Sequence, residues 1–198
     1  MSRRAVMIYA VTALCVGCVK PAPPPPSSVH TIAVFPAHNR TDDELLITGG
    51  TILEKYVFHT ARVTVPDVLA AEARTVLERA GYTLVSPEAV EDAIDGQPPA
   101  SAADAAAAAA EHKLPGEVLY IDLRQWTPDL TYGPSSIIVS LRIDLLDPAS
   151  GRVLWTADHP PRPVQTPGTI NFADAYWVAA RSVIRQMLEP FANKVRAG

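Results

Sequence analysis

The sequence is poor in cysteine, in charge and in aromatic side chains, and the first two shortages exclude whole classes of protein. Two cysteines in 198 residues are too few for a disulfide scaffold or a cysteine-rich zinc module. Charged residues make up 19% and the net charge is −4, so the basic excess of a dedicated nucleic-acid binder is missing. Apolar residues nevertheless reach 48%, which is enough for a packed core.

Motifs for catalysis are also missing from the sequence. It contains no nucleophile elbow, glycine-rich phosphate loop or dinucleotide fingerprint. His38 and the acidic run Asp42–Glu44 are of metal-ligating type, but their spacing fits no calcium loop or zincin helix and favours a solvated loop. Asp158 and His159 precede a proline and are typical of a loop rather than an acid–base pair. We therefore expect no enzymatic activity, no cofactor and no metal site.

The N-terminus has the form of a secretory signal peptide. Met1–Arg4 carries two arginines, and residues 5–17 are uncharged and apolar or small. This stretch is shorter than the about 20 residues that a membrane-spanning helix needs. A basic start, a short apolar segment and small residues before a cut are typical of a signal that is removed.

The end of this segment, Leu14–Cys18, resembles the lipobox of bacterial lipoproteins. The resemblance implies cleavage after the small residue Gly17 and attachment of diacylglycerol to the Cys18 thiol. Cys15 departs from the motif, which usually has leucine at that position. The alternatives are an ordinary signal peptide or an uncleaved anchor. The residue after the cysteine is Val19 and not aspartate, which in enterobacterial sorting implies the outer membrane.

Cleavage would change both the charge and the thiol chemistry of the chain. It removes two arginines and no acidic residue, so the net charge moves from −4 to −6. Because Cys15 leaves with the signal and Cys18 is acylated, the mature chain has no thiol for a disulfide, a nucleophile or a metal. Two or three acyl chains on Cys18 suffice for stable anchoring to a membrane.

Composition divides the chain into three parts. Residues 1–17 form the signal peptide, residues 18–29 the lipidated cysteine with a proline-rich linker, and residues 30–198 a single globular domain. Lys20–Ser28 consists largely of proline, which predicts an extended spacer of about 3.1 Å per residue that holds the domain off the membrane.

Residue patterns in the domain predict an α/β (α+β) fold, with a mixed, mostly antiparallel sheet of about five strands and helices packed on it. Apolar residues at helical spacing predict the helices 65–80, 87–94 and 101–112 and a last helix that begins after Asn171. Apolar runs and alternation predict the strands 31–36, 82–86, 117–125, 136–146 and 152–157. The first helix lies between two strands, which suits a parallel crossover.

Three connections have less definite patterns. Leu45–Val65 forms either a hairpin or a short helix before one strand. His159–Gly168 is rich in proline and predicts a loop. Gln125–Ser135 joins two strands and carries Trp126 and Tyr132, which are candidate partner-binding residues because exposed aromatic side chains favour protein contacts. The alternative is that both rings pack back on the edge of the sheet.

The order of these segments resembles a family of bacterial lipoproteins of unknown function. It is more distantly similar to the amino-terminal domain of the Tol-Pal translocation protein B and to the curli-secretion lipoproteins. The resemblance spans about Thr31–Trp155 and rests on strand and turn motifs, namely Ile32–Pro36 with Asn39–Thr41, Ala80–Val85 with Pro87, Val118–Ile121, and Leu145–Asp147 with Gly151–Trp155. It implies an α/β sandwich tethered in the periplasm as part of an envelope machine.

Together these observations predict an outer-membrane lipoprotein that faces the periplasm. We expect a non-enzymatic structural or accessory component of an envelope assembly or transport machine. Its expected partners are the membrane, through the lipid anchor, and envelope proteins or copies of itself, but not nucleic acid. The alternative is a periplasmic ligand-binding module that serves an envelope transporter.

Overall fold

A mixed sheet organises the fold. The computed structural model describes residues 23–26, 28–47, 63–129, 131 and 133–194. The strands are β1 (Thr31–Val34), β2 (His38–Asn39), β3 (Leu46–Ile47), β4 (Val63–Thr64), β5 (Thr83–Leu84), β6 (Glu117–Pro128), β7 (Ser136–Leu146) and β8 (Val153–Gln165). The helices are α1 (Val65–Arg79), α2 (Pro87–Ile94), α3 (Ala102–Glu111), α4 (Phe172–Met187) and α5 (Glu189–Lys194).

The strand order in the main sheet is β5-β1-β6-β7-β8, and β2 also pairs with β6. β1 is parallel to β5 and β6, whereas β6, β7 and β8 are antiparallel neighbours. β3 and β4 form a separate antiparallel pair at the two ends of the stretch Leu45–Val65, whose residues 48–62 lie outside the described residues. The predicted mixed, mostly antiparallel sheet with packed helices is confirmed.

The first helix begins at a reciprocal cap and ends at a glycine. The Thr64 hydroxyl accepts the backbone N–H of Asp67 at 3.3 Å, and the Asp67 carboxylate accepts the backbone N–H of Thr64 at 2.8 Å. Gly81 then takes a φ of 78°, a left-handed conformation that glycine adopts without a steric penalty. The chain enters β5 parallel to β1, so the predicted crossover through α1 is confirmed.

The other predicted helix starts are confirmed as well. Ser86, Ser101 and Asn171 each accept a backbone N–H from the residue three positions later, which begins α2, α3 and α4. The helix predicted to be the last, α4, ends at Met187, and Pro190 lies in the first turn of the short helix α5 that follows.

One face of the sheet is apolar and lies under α1 and α4. The fully buried side chains of β6 and β7 on this face are Leu119, Ile121, Leu123, Ile137, Val139, Leu141, Ile143 and Leu145. α2 and α3 pack on the other face in a smaller cluster, where alanines of α3 contact Val118, Tyr120 and Leu146. Alanine has a small side chain, so α3 can lie close to the sheet.

The structure corrects the predicted end of the last strand. β8 runs over Val153–Gln165 rather than 152–157, so the prediction of a loop over His159–Gly168 is wrong for most of its length. Pro160, Pro161 and Pro163 lie within the strand. β8 tolerates them because it is at the edge of the sheet and pairs only with β7.

The described part of the proline-rich linker makes contacts with the domain. Pro25 is buried, and Trp155 Nε1 donates to the carbonyl oxygen of Pro23 at 2.6 Å. Val29 is 1% exposed and donates its N–H to the carbonyl oxygen of Pro26. The described part of the proline-rich segment therefore packs on the domain.

Candidate functional site

Six charged side chains lie on or beside the sheet face opposite α1 and α4. We call this set the charged face: Arg40, Asp122, Arg124, Arg142, Asp144 and Asp158. Successive side chains of a strand point to opposite faces, so the apolar residues of β6 and β7 alternate with these charges. Three arginines and three aspartates give the charged face no formal net charge.

Strand register brings the charges of three strands together. Asp122 of β6 lies opposite Arg142 of β7, and Arg142 lies opposite Asp158 of β8. Arg124 bridges two strands, because its Nε is 2.9 Å from Asp122 Oδ2 and its Nη1 is 3.1 Å from Asp158 Oδ1. The Nε of Arg142 is 2.9 Å from both carboxylate oxygens of Asp144.

Two of the three aspartates lie deeper than the arginines that pair with them. The side chains of Asp122 and Asp144 are 10% and 7% exposed, whereas those of Arg124 and Arg142 are each 38% exposed. Asp122 Oδ2 receives its arginines, while Oδ1 is buried without a hydrogen-bond partner. The hydrogen bond to Asp122 is the main cause that raises the pKa of Arg124. The outer layer of the charged face therefore holds three guanidinium groups and the Asp158 carboxylate, which is 53% exposed, above the buried carboxylates of Asp122 and Asp144.

Arg40 reaches this layer from the loop after β2. Its backbone N–H donates to the carbonyl oxygen of Leu123 at 2.9 Å, and its Nη1 is 3.5 Å from Asp122 Oδ2. Asn39 stabilises the turn, because its side-chain oxygen accepts both the N–H and the hydroxyl of Thr41. Within the described ranges, His, Cys, Asp and Glu side chains nowhere form a group of three or more that could hold a metal ion.

Tyr120 borders the charged face under α3. Its hydroxyl donates to the carbonyl oxygen of Pro99 at 3.3 Å. Burial, followed by the charge of Asp122, raises the pKa of Tyr120 to about 12. The phenol therefore stays protonated at neutral pH and is unsuited to act as a base.

Asp158 and His159 are adjacent in sequence but have separate partners. Asp158 pairs with Arg124, whereas His159 is 1% exposed and is held by Val139 and Arg162. Arg162 Nε donates to His159 Nε2 at 2.9 Å, which assigns the ring proton to Nδ1, 3.1 Å from the Val139 carbonyl oxygen. Burial, with a smaller effect of Arg162, lowers the pKa of His159. The arrangement favours a neutral structural histidine.

The prediction that Trp126 lies on an exposed loop is wrong. β6 continues to Pro128 after an irregularity between Leu123 and Gln125, and Trp126 is 2% exposed with its ring edge-on to Tyr176 at 5.9 Å. This is the packed alternative for Trp126. Its partner-binding role stays a prediction.

Three other predicted site residues, Gly17, Cys18 and Tyr132, lie outside the described residues. The charged face, in turn, is only partly visible in the sequence. The alternation that places Arg142 and Asp144 on the solvent-facing side of β7 predicts two of its six residues. The polar residues Asp122 and Arg124 of β6 are obscured by the apolar run around them.

None of the helices in the described ranges has the length and apolar character needed to cross a bilayer. No protein-family model and no curated protein matches the sequence.

Similar solved structures include the PelC dodecamer from Paraburkholderia phytofirmans, at 17% identity and a TM-score of 0.48 over 86% of this chain and 94% of that one. Lipoprotein GNA1162 from Neisseria meningitidis is 22% identical with a TM-score of 0.44, covering 70% of this chain and 81% of that one. The C-terminal domain of LpoB from Salmonella enterica is 14% identical with a TM-score of 0.40, covering 69% and 83%. GNA1162 is a lipoprotein, the class of protein that the sequence resembles.

Proposed function

We propose that the chain is a lipid-anchored envelope protein without enzymatic activity, and that its charged face binds a partner protein. Acylation of Cys18 would hold it at a bacterial outer membrane, facing the periplasm. The observation that carries the partner role is the layer of outward guanidinium groups from Arg124 of β6, Arg142 of β7 and Arg40 of the adjoining loop. Arginine is enriched in protein interfaces, and opposite charges steer partners into register.

The geometry of the charged face supports binding rather than catalysis. Asp122, Asp144 and Asp158 are each engaged by an arginine, and His159 contacts Val139 and Arg162 instead. Because the aspartates hold the arginines in place, these side chains lose little rotational freedom when a partner binds. Three exposed guanidinium groups outnumber the one exposed carboxylate, that of Asp158, so the matching surface is mainly acidic. That surface belongs to another envelope protein or to a second copy of this chain.

Acylation is tested by metabolic labelling with an alkyne analogue of palmitate. The parent chain and the Cys15→Ala variant should incorporate the label, since Cys15 leaves with the signal peptide. The Cys18→Ala variant should not, and it should appear in the soluble fraction or remain uncleaved. Label on the Cys18→Ala variant, or a mature chain without acyl mass on its first residue, would contradict the anchor.

The partner role is tested by reversing charges on the face. The double variant Arg124→Glu, Arg142→Glu should reduce crosslinking to neighbours in intact membranes at least about tenfold, because like charges would then meet an acidic partner. Arg152→Glu is the matched control, since Arg152 is exposed on the turn between β7 and β8 and lies outside the charged face. Equal crosslinking by all three proteins, with unfolding curves showing that each is folded, would contradict the role.

A second copy and a different partner are separated by sedimentation of the lipidated chain in detergent. Self-association through the charged face predicts a larger species that falls apart in the double variant and at high salt. A chain that sediments as a monomer while still crosslinking in membranes has a different protein as its partner.

A further inference from the structure

The described start of the linker is fixed to one end of the sheet. The carbonyl oxygen of Pro23 accepts Trp155 Nε1 at 2.6 Å, Pro25 is buried, and Val29 belongs to the main core. Trp155 is itself held in place, because it is 3% exposed and packs edge-on against Phe191 with ring centroids 4.8 Å apart. The linker therefore leaves the domain at a defined point.

That point lies where several strands begin or end together. We call it the docked end; it comprises Thr31, Thr83, Glu117, the turn Asp147–Gly151 and Trp155. Strand register places them together, since Thr31 pairs with Thr83, Ile32 with Glu117, and Leu146 with both Val118 and Val153. The opposite end holds the connection from β8 to α4, where Thr166 and Thr169 donate to the carbonyl oxygen of Pro134.

The length of chain between the lipid site and the docked end is short. From Cys18 to Pro23 there are five residue steps. At about 3.6 Å each, they reach at most roughly 18 Å. β8 alone has 13 residues, and at about 3.3 Å per residue it is roughly 40 Å long. While Pro23 stays on Trp155, the docked end is held near the lipid, and the opposite end can lie well away from it.

We infer that the docked end is a membrane-apposed surface and that the domain stands upright on the lipid. This inference rests on the proposed acylation of Cys18 and adds the orientation. An upright domain leaves the charged face open to the side, where a neighbouring protein in the membrane can reach it.

Energy transfer to lipid measures this orientation. The mature chain has no free thiol, so single cysteines can be labelled selectively in the full acylated protein. Ala149→Cys reports the docked end and Ile170→Cys the opposite end; both positions are exposed, and Ile170 is 87% exposed. Each labelled protein is placed on vesicles of phosphatidylethanolamine and phosphatidylglycerol at three to one, with a trace of acceptor-labelled lipid. We expect several-fold more efficient transfer from position 149 than from position 170.

The hydrogen bond to the linker supplies a second variant. Trp155→Phe keeps a ring against Phe191 but removes the Nε1 donor that holds Pro23. In this background the difference between the two labels should shrink, because the linker can leave the domain. Equal transfer from both positions in the parent protein, or more from position 170, would overturn the orientation. So would a difference that Trp155→Phe leaves unchanged.

Two further arms separate the inference from its premise. Mass spectrometry of the same samples reports the acyl groups: if they are absent, the proposed anchor fails; if they are present and transfer is equal, only the orientation fails. Donor- and acceptor-labelled Ala149→Cys proteins are also mixed on vesicles without acceptor lipid. Strong transfer between them would show that a second copy covers the docked end, which overturns lipid apposition.

Discussion

The two faces of the sheet satisfy their side chains in different ways. On one face, Leu123 and Leu141 are fully buried under α1 and α4. On the other face, their neighbours Asp122 and Arg142 are held by ion pairs, and the arginine remains 38% exposed. Burial of apolar area stabilises the fold strongly, whereas exposed ion pairs contribute little. The same strands thus have one face that is buried by helices along its length and another on which a charged region stays accessible beside α2 and α3.

The largest effect is expected from a cavity in the apolar face. Leu123→Ala should lower the free energy of unfolding by about 3 kcal/mol, because it removes buried methyl groups and leaves a void under α1 and α4. Urea unfolding followed by circular dichroism measures the change. Val153→Ala is the control, since Val153 is half exposed and should shift the curve little. Equal losses for both variants would show that burial does not determine what Leu123 contributes to stability.

A smaller effect is expected from the charge buried within the helical layer. Glu72 is 6% exposed and receives Arg181 and Arg185, which joins α1 to α4. Glu72→Ala should lower the free energy of unfolding by about 1–2 kcal/mol. This is less than the loss expected for a fully buried ion pair, because the two arginines are almost half exposed and can be hydrated when Glu72 is removed. Glu78→Ala, on the exposed side of the same helix, should cost little. A loss of stability larger than that of Leu123→Ala would show that this ion pair stabilises the fold more than a buried leucine does.

A pH-dependent loss is expected from the buried histidine. The pKa of His159 is lowered in the folded state, so the unfolded chain binds the proton first as the pH falls below about 6.5. The stability that neutral His159 contributes is therefore present above that pH and is lost on acidification, at no more than about 1.4 kcal/mol per pH unit. Comparing urea unfolding of the parent and His159→Gln at pH 5 and pH 8 isolates this effect. An identical difference at both values would contradict it.

The sequence predicts those elements whose signals are local. Ser86, Ser101 and Asn171 begin helices through bonds to residues three positions away, so each start is visible in a short window. The strand β8 is not predictable in this way. Its prolines indicate a loop, because proline is tolerated only in a strand at the edge of a sheet. Whether a strand lies at the edge depends on the tertiary arrangement, which the local sequence does not show.

The candidate site depends even more on contacts between distant segments. Arg124 of β6 meets Asp158 of β8 across 34 residues, and Trp155 meets Pro23 across 132 residues. Trp126 faces the core because of an irregularity in the pairing of β6 with β7, which alternation alone does not reveal. The spacing of charges on β7 indicates a polar face, but only the pairing of three strands shows that its arginines lie above the carboxylates of Asp122 and Asp144.

The smallest effect on stability, and the most informative, is expected at Arg124. Arg124→Ala should lower the free energy of unfolding by less than about 1 kcal/mol, because the side chain is partly exposed and Arg40 still pairs with Asp122. Crosslinking to the partner should nevertheless weaken severalfold, since the variant removes the guanidinium that bridges β6 and β8. The neighbouring variant Leu123→Ala should show the opposite pattern. It should lower the free energy of unfolding strongly, while crosslinking by the molecules that remain folded is unchanged. If Arg124→Ala lowers the free energy of unfolding as much as Leu123→Ala does, the charged face is needed to stabilise the fold. That result would contradict its proposed role in binding a partner.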